Sequence, residues 1–89
     1  MGIALIKLKI MPESPDTDLE SIKTAGEEKI KTLEGQITKY EEQPIAFGLK
    51  ALIAFIRIDE KTDTQKVEDV FKDIPNISSL DIIDYRREL

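Results

Sequence analysis

The segment from Leu49 to Ile58 constrains the fold more than any other, because as a strand it is apolar on both faces. One face carries Leu49, Ala51, Ile53 and Phe55, and the other carries Leu52, Ala54, Ile56 and Ile58. A strand with one buried face alternates between apolar and polar residues, whereas a strand covered on both sides does not. The pattern therefore predicts that this segment lies at the centre of a sheet.

The other strands are predicted from shorter patterns. Ile3 to Met11 alternates, with Ile6, Leu8 and Ile10 on one face and Lys7 and Lys9 on the other, as in a half-buried strand. Residues 36–40 are more polar, which fits a strand at the sheet edge. Residues 77–85 form the last candidate, and because Leu80, Ile82 and Ile83 do not alternate, the pattern leaves its register open.

The first helix is predicted from an N-terminal capping signal and an apolar stripe. Thr17 and Glu20 have the spacing of a capping box, so the helix should start near Thr17 or Asp18. Gly35 is a suitable stop. The apolar stripe consists of Leu19, Ile22, Gly26, Ile30 and Leu33. The glycine inside this stripe indicates either close packing or a weak point of the helix.

The second helix is predicted to be short. Thr62 and Gln65 have the spacing of another capping box, and Pro75 ends the helix. Its apolar residues are Val67, Val70, Phe71 and Ile74.

The order of these elements predicts an α+β fold of ferredoxin-like βαββαβ topology, as a single domain over residues 1–89. It implies a four-stranded antiparallel sheet with the first and third strands central and, because crossovers are right-handed, both helices on one face. The other face stays open, with Lys7 and Lys9 beside apolar residues of the third strand. Such a face suits either partner docking or self-association.

Composition excludes most catalytic chemistry. The chain has no cysteine and no histidine, which removes thiol chemistry, disulfides, zinc sites built on these residues and imidazole acid-base catalysis. We expect no enzyme activity, no cofactor and no metal site. The net charge of −5 argues against direct nucleic-acid binding. No apolar run is long enough for a membrane span, so we expect a cytoplasmic protein that binds another protein.

Phe47 lies between Ala46 and Gly48, directly before the central strand. Residues 41–44 are predicted as a loop, so Phe47 falls at the mouth of a hairpin. Spacing alone favours a Phe47 that caps one end of the core, with Gly48 permitting a bend. The alternative is a Phe47 that projects from the loop to bind a partner.

Arg86 and Arg87 are predicted to follow immediately after the last strand. Arginines in such a position are most often solvated. Because a guanidinium is permanently charged and has a rigid set of donors, either one could also reach a carboxylate or phosphate on a partner.

Three segments of the chain resemble the archaeal elongation factor 1-beta family. They are Met11 to Pro15 with Asp18-Leu19, the segment from Glu42 to Leu52, and the terminal Asp84-Tyr85-Arg86-Arg87. The resemblance covers the full length, and its middle segment also resembles the Pro-Ile-x-Phe-Gly-x-Lys stretch of eukaryotic counterparts. It implies a ferredoxin-like guanine nucleotide exchange factor that binds GDP-bound and nucleotide-free elongation factor 1-alpha and lets GTP replace GDP during translation.

The resemblance also implies which residues bind the partner. These are Ile45, Phe47, Gly48, Lys50, Arg86 and Arg87. Phe47 matches a projecting phenylalanine that enters an apolar pocket on the partner's nucleotide-binding domain. Arg87 aligns with a penultimate lysine of eukaryotic relatives that reaches towards the partner's magnesium and phosphate region, and Arg86 is the alternative. The chain departs from that pattern in having arginine, followed by Glu88, which could neutralise it, and Leu89.

Two other functions remain open for the same topology. A ferredoxin-like RNA-binding module would use Phe55 on the central strand, although the chain lacks an aromatic-rich RNA-binding signature. A self-associating regulatory domain would use the open sheet face. A small acyl phosphate hydrolase is disfavoured because residues 11–15 contain neither a glycine-rich loop nor an arginine.

Overall fold

The computed structural model describes residues 2–88 and contains one antiparallel sheet with the strand order β2-β3-β1-β4. The strands are β1 (Ile3–Pro12), β2 (Gln36–Pro44), β3 (Lys50–Asp59) and β4 (Ile77–Glu88). The helices are α1 (Leu19–Lys31), α2 (Thr64–Lys72) and a short 3-10 turn at Ala46–Gly48. The ferredoxin-like prediction is therefore confirmed, including the central position of the first and third strands.

The core lies between the sheet and the two helices. The inward side chains of β1 and β3 are fully buried, as are those of the helical stripes that pack on them. They include Ile6, Leu8, Leu52, Ile56, Ile22, Ile30, Val67 and Phe71. Because one contiguous cluster contains residues of both helices, both helices cover the same sheet face and the other face is left open.

Gly26 marks the closest approach between α1 and its neighbours. A Cβ atom at this position would lie 2.9 Å from the Tyr40 hydroxyl and 3.0 Å from the Phe71 ring. Tyr40 is fixed there because its hydroxyl donates a hydrogen bond to the Lys23 carbonyl at 2.9 Å. Close packing therefore explains the glycine in the apolar stripe.

The predicted start of α1 near Thr17 or Asp18 is confirmed, but in both helices the capping residue is the aspartate that follows the predicted threonine. Asp18 and Asp63 are the N-caps, and their carboxylates accept hydrogen bonds from the backbone N–H groups of Glu20 and Gln65, each at 3.0 Å. Thr17 instead bonds to Ser14 in the preceding turn. An aspartate caps as well as a threonine and adds negative charge at the positive end of the helix dipole.

The end of α1 differs in detail from the prediction. Glu34, not Gly35, adopts the left-handed conformation, with a φ of 59°. The N–H groups of Glu34 and Gly35 donate to the carbonyls of Lys31 and Ile30, which is the Schellman arrangement. Gly35 is needed for a different reason, since a Cβ there would lie 2.9 Å from Ile30.

Two strands are longer than predicted. Residues 41–44, predicted as a loop, continue β2 and pair with residues 50–53 of β3. Arg86 and Arg87, predicted to follow the last strand, lie within β4 and pair with Leu5 and Ala4. Charged residues are compatible with these strand extensions, because strand pairing uses the backbone and the side chains of an edge strand can stay in solvent.

The irregular pattern of β4 reflects a β-bulge. Lys7 pairs with Asp84 and the next residue, Leu8, pairs with Ile82, so Ile83 is the extra residue. A bulge shifts the alternation of the strand by one residue. Leu80, Ile82 and Tyr85 therefore pair with the inward-facing residues of β1, a series that regular alternation does not predict.

Candidate functional site

Phe47 projects into solvent from the β2–β3 hairpin. The hairpin loop is closed by a hydrogen bond from the Ile45 N–H to the Leu49 carbonyl at 2.9 Å. Within it Phe47 has left-handed backbone angles (φ 63°, ψ 29°), and its side chain is 94% exposed. The favoured expectation of a core-capping Phe47 is therefore wrong, because the left-handed turn directs the ring away from the sheet.

The hairpin loop lies next to the β1–α1 loop, and Gly48 and Pro15 line the same small cavity. Gly48 follows Phe47 with a φ of 77°, and a Cβ at Gly48 would lie 3.9 Å from Pro15. The turn before α1 is held by the hydrogen bond from the Thr17 N–H to the Ser14 carbonyl at 3.2 Å. Two successive left-handed residues are sparsely populated in free peptides. The hydrogen bond that closes the hairpin loop therefore has to hold this conformation.

Ile45 and Lys50 flank the projecting ring. Ile45 is half-buried, and Lys50 is exposed. The Lys50 ammonium lies 3.9 Å from the Glu42 carboxylate, which also lies 3.6 Å from Lys23 on α1. These ion pairs join the hairpin to α1, although exposed pairs of this kind contribute little free energy.

Lys23 also pairs with Glu20, which precedes it on α1. Its hydrogen bond to Glu20, at 3.1 Å, raises the pKa of the Lys23 ammonium, and Glu42 acts in the same direction. Lys23 therefore stays charged throughout the physiological range.

Arg86 and Arg87 lie at the end of β4 and have different neighbours. The Arg86 Nε lies 3.1 Å from the Asp84 carboxylate, on the open face of the sheet. The Arg87 Nε lies 3.7 Å from the Glu60 carboxylate, at the turn after β3. Leu89 and the side chain of Glu88 lie outside the described part of the chain, and the prediction that Glu88 neutralises Arg87 concerns that part.

Glu60 is held beside Arg87 by the start of the chain. Its N–H donates to the Gly2 carbonyl at 3.1 Å, and a Cβ at Gly2 would lie 2.6 Å from the Glu60 carboxylate oxygen. A side chain at position 2 would therefore push the Glu60 carboxylate aside. Sequence reasoning missed Glu60 and Gly2 because their proximity to Arg87 depends on the register of three strands.

The structure separates the predicted binding residues into two groups. Ile45, Phe47, Gly48 and Lys50 lie at one end of the sheet, and the two arginines lie at the other. Arg87 and Ile58 are level with each other across Ala4, and Ile58 is eight residues from Lys50 along β3. At a rise of about 3.3 Å per residue, Lys50 and Arg87 are about 26 Å apart along the strands, and Phe47 lies in the loop beyond Lys50.

Within residues 2–88, no cluster of three or more candidate metal ligands is present. No described helix is long and apolar enough to cross a membrane.

Comparison with known proteins gives a consistent result. Residues 5–87 match the family described as the EF-1 guanine nucleotide exchange domain. The chain is 43% identical to the elongation factor 1-beta of Methanobrevibacter smithii, over 98% of both chains. It is 39% identical to that of Methanothermobacter thermautotrophicus, again over 98% of both. For Methanosarcina barkeri the identity is 41%, over 98% of this chain and 99% of the relative.

Proposed function

Because this chain belongs to the family of EF-1 guanine nucleotide exchange domains, we propose that it exchanges nucleotide on elongation factor 1-alpha by contacting that GTPase with both ends of its sheet. Family membership makes the chain a guanine nucleotide exchange factor of translation elongation, with an elongation factor 1-alpha GTPase as its partner. The two contacts and the nucleotide states of the partner are the proposed part. We further propose that the factor acts in the cytoplasm without contacting nucleic acid directly.

The exposed ring of Phe47 carries this proposal. A phenylalanine that is 94% exposed in a left-handed turn contributes nothing to the core and has a strained backbone. Insertion of the ring into an apolar pocket of the partner would contribute about 1.5 to 3 kcal/mol. Gly48 permits the turn, and Ile45 and Lys50 border the same contact.

The arginine end supplies charge. The Arg87 Nε lies 3.7 Å from the carboxylate of Glu60. The Arg86 Nε lies closer to its partner, at 3.1 Å from the carboxylate of Asp84. Arg87 is therefore the cation that is more easily transferred to a partner. Near the partner's magnesium and phosphate region, it would compete with the metal for acidic ligands and weaken the binding of GDP.

Such exchange requires differential binding and no covalent chemistry. The factor must bind the nucleotide-free partner more tightly than the GDP-bound partner, and by thermodynamic linkage it then lowers the affinity for GDP by the same factor. A chain without cysteine or histidine can therefore act as an exchange factor. We propose that no bond of the nucleotide is broken by this protein.

Release of a fluorescent GDP analogue from elongation factor 1-alpha of the same source tests the proposal. With excess unlabelled nucleotide, substoichiometric wild-type protein should accelerate release. Phe47→Ala should remove most of this acceleration, and Phe47→Leu should keep part of it because an apolar side chain remains. Arg87→Ala should bind the partner but lose part of the rate, whereas Lys72→Ala, which removes an exposed ion-paired cation from α2, should act like the wild type.

Absence of acceleration by the wild-type protein, with a partner shown to be active, would overturn the proposal. Full activity of the Phe47→Ala variant would overturn only the proposed role of the hairpin loop and would leave the exchange function standing.

A further inference from the structure

The two arginines at the end of β4 lie on opposite sides of the sheet. Arg87 is level with Ala4 and Ile58, which are buried on the side that the helices cover. Arg86 is level with Leu5 on the open side, as the alternation of side chains along a strand requires. The two guanidinium groups therefore leave the sheet in different directions, and each has its own surroundings.

The carboxylates beside the two arginines also differ in origin. Asp84, which pairs with Arg86, precedes it by two residues on the same strand. Glu60, which pairs with Arg87, belongs to the turn between β3 and α2. The Arg87 side chain is therefore held by a part of the fold other than the edge strand that carries it.

Contacts other than that with Arg87 place the Glu60 carboxylate. The Glu60 N–H donates to the Gly2 carbonyl at 3.1 Å, and the carboxylate lies so close to the Gly2 backbone that a Cβ there would be 2.6 Å from one oxygen. The Thr62 N–H closes the same turn by donating to the Asp59 carbonyl at 2.9 Å. The Glu60 side chain is only 28% exposed, whereas that of Arg87 is 67% exposed. Glu60 is therefore the more ordered member of the pair.

An ordered carboxylate restricts the orientation of a flexible guanidinium. The contact is made through the Arg87 Nε at 3.7 Å, which is within ion-pair distance but too long for a hydrogen bond. A guanidinium has five N–H donors, and a contact at Nε does not use the four on its two terminal nitrogens. Such an exposed pair contributes little to folding stability. It can nevertheless hold Arg87 in one direction while its terminal nitrogens bind an acceptor on a partner.

We propose that Glu60 is a positioning residue of nucleotide exchange, which holds Arg87 in the orientation that contacts elongation factor 1-alpha. This inference rests on the proposed function, in which Arg87 approaches the magnesium and phosphate region of that GTPase. A side chain that is oriented before binding loses less rotamer freedom when the contact forms. Glu60 acts through Arg87 and does not itself touch the nucleotide.

Glu60→Gln tests the proposal in the release assay with a fluorescent GDP analogue. The glutamine keeps the length of the side chain and the backbone hydrogen bond to Gly2 but removes the charge. When the concentration of GDP-bound elongation factor 1-alpha is varied, the maximal rate of release should fall about threefold, and the half-saturating concentration should change little. Asp73→Asn, which removes the carboxylate of a 3.9 Å ion pair with Lys29, is the matched control and should act like the wild type.

The same substitution in the Arg87→Ala background separates positioning from a structural role. If Glu60 acts through Arg87, Glu60→Gln should cause no further loss of rate in that background. An equal loss in both backgrounds would show that Glu60 only supports the fold, and would overturn the inference. Thermal unfolding would verify that the variants fold. Glu60→Asp, whose shorter side chain moves the carboxylate away from Arg87, gives the same comparison if the glutamine variant does not fold.

Three other results are informative. A wild-type rate of the Glu60→Gln variant would overturn the inference, and a faster rate would do so by showing that Glu60 withholds Arg87 from the partner. Full activity of Arg87→Ala would remove the role of Arg87 and this inference with it, while the exchange function would remain. No acceleration by the wild-type protein would instead remove the proposed function itself.

Discussion

At the scale of single residues, Phe47 combines a strained backbone with a side chain that makes no core contact. A left-handed conformation costs a bulky residue roughly 1 to 2 kcal/mol, and the fold holds Phe47 in it through the hydrogen bond from the Ile45 N–H to the Leu49 carbonyl. The folded protein carries this conformational cost already before it binds a partner. The backbone that carries the ring is therefore ordered in the free protein, which reduces the backbone entropy lost on binding.

Replacement of Phe47 should separate stability from exchange. Asparagine tolerates the left-handed conformation, so Phe47→Asn should unfold with a free energy equal to that of the wild type or up to about 1 kcal/mol higher. The same variant should be inactive in exchange. Urea unfolding monitored by circular dichroism measures the first quantity. A loss of more than about 1 kcal/mol would show that the ring contributes to the core after all.

At the scale of the elements, the contact of α1 with β2 and α2 predicts an unusual effect of alanine. Gly26→Ala should gain about 1 kcal/mol of helix propensity but lose about 1 to 3 kcal/mol through overpacking, since its Cβ would lie 2.9 Å from the Tyr40 hydroxyl. We expect a net decrease in the free energy of unfolding. Thr24→Ala, at an exposed position of the same helix, should increase it. Chemical denaturation of both variants would decide, and stabilisation by Gly26→Ala would contradict the close packing.

The same helix–strand contact predicts a dependence on alkaline pH. Burial, and secondarily the charge of Glu27, raise the pKa of Tyr40 above its ordinary value of 10.0. The folded state therefore retains the phenolic proton when the unfolded chain has lost it, so this contribution is complete below about pH 10 and falls as the pH rises further. Tyr40→Phe should lose about 0.5 to 1.5 kcal/mol at neutral pH but decline less steeply above about pH 10. Parallel declines in urea titrations would contradict this assignment.

The sequence allowed the order of the elements and the central strands to be predicted, because burial periodicity is a local property of β1, β3 and both helices. It did not allow the lengths of β2 and β4 or the bulge at Ile83 to be predicted, since these depend on backbone pairing with another strand. The exposure of Phe47 depends on a left-handed turn that spacing does not reveal. The resemblance identified the candidate binding residues, but their separation into two ends required the sheet register.

At the scale of the whole molecule, the separation of the two ends predicts independent energetic contributions. Phe47→Ala and Arg87→Ala remove groups at opposite ends of the sheet, where Lys50 and Arg87 alone are about 26 Å apart along the strands. Their effects on the free energy of binding elongation factor 1-alpha should therefore add within about 0.5 kcal/mol. A double-mutant cycle on the dissociation constants measures the sum. A coupling energy above about 1 kcal/mol would indicate that both groups act at one place or through a change in shape.

The strand order also places both contacts at the edges of the sheet. Phe47 is carried by the hairpin of β2 and β3, and Arg86 and Arg87 lie on β4; β2 and β4 are the edge strands, and beside the loop residues 50 and 51 pair only with β2. Amide hydrogens of residues 52–57 of β3, which are paired on both sides, should therefore exchange with solvent only through global unfolding, and those of residues 42–44 and 85–87 through local opening. Either end could then detach and rebind while the centre of the sheet stays folded, so release from the partner would begin at an edge strand.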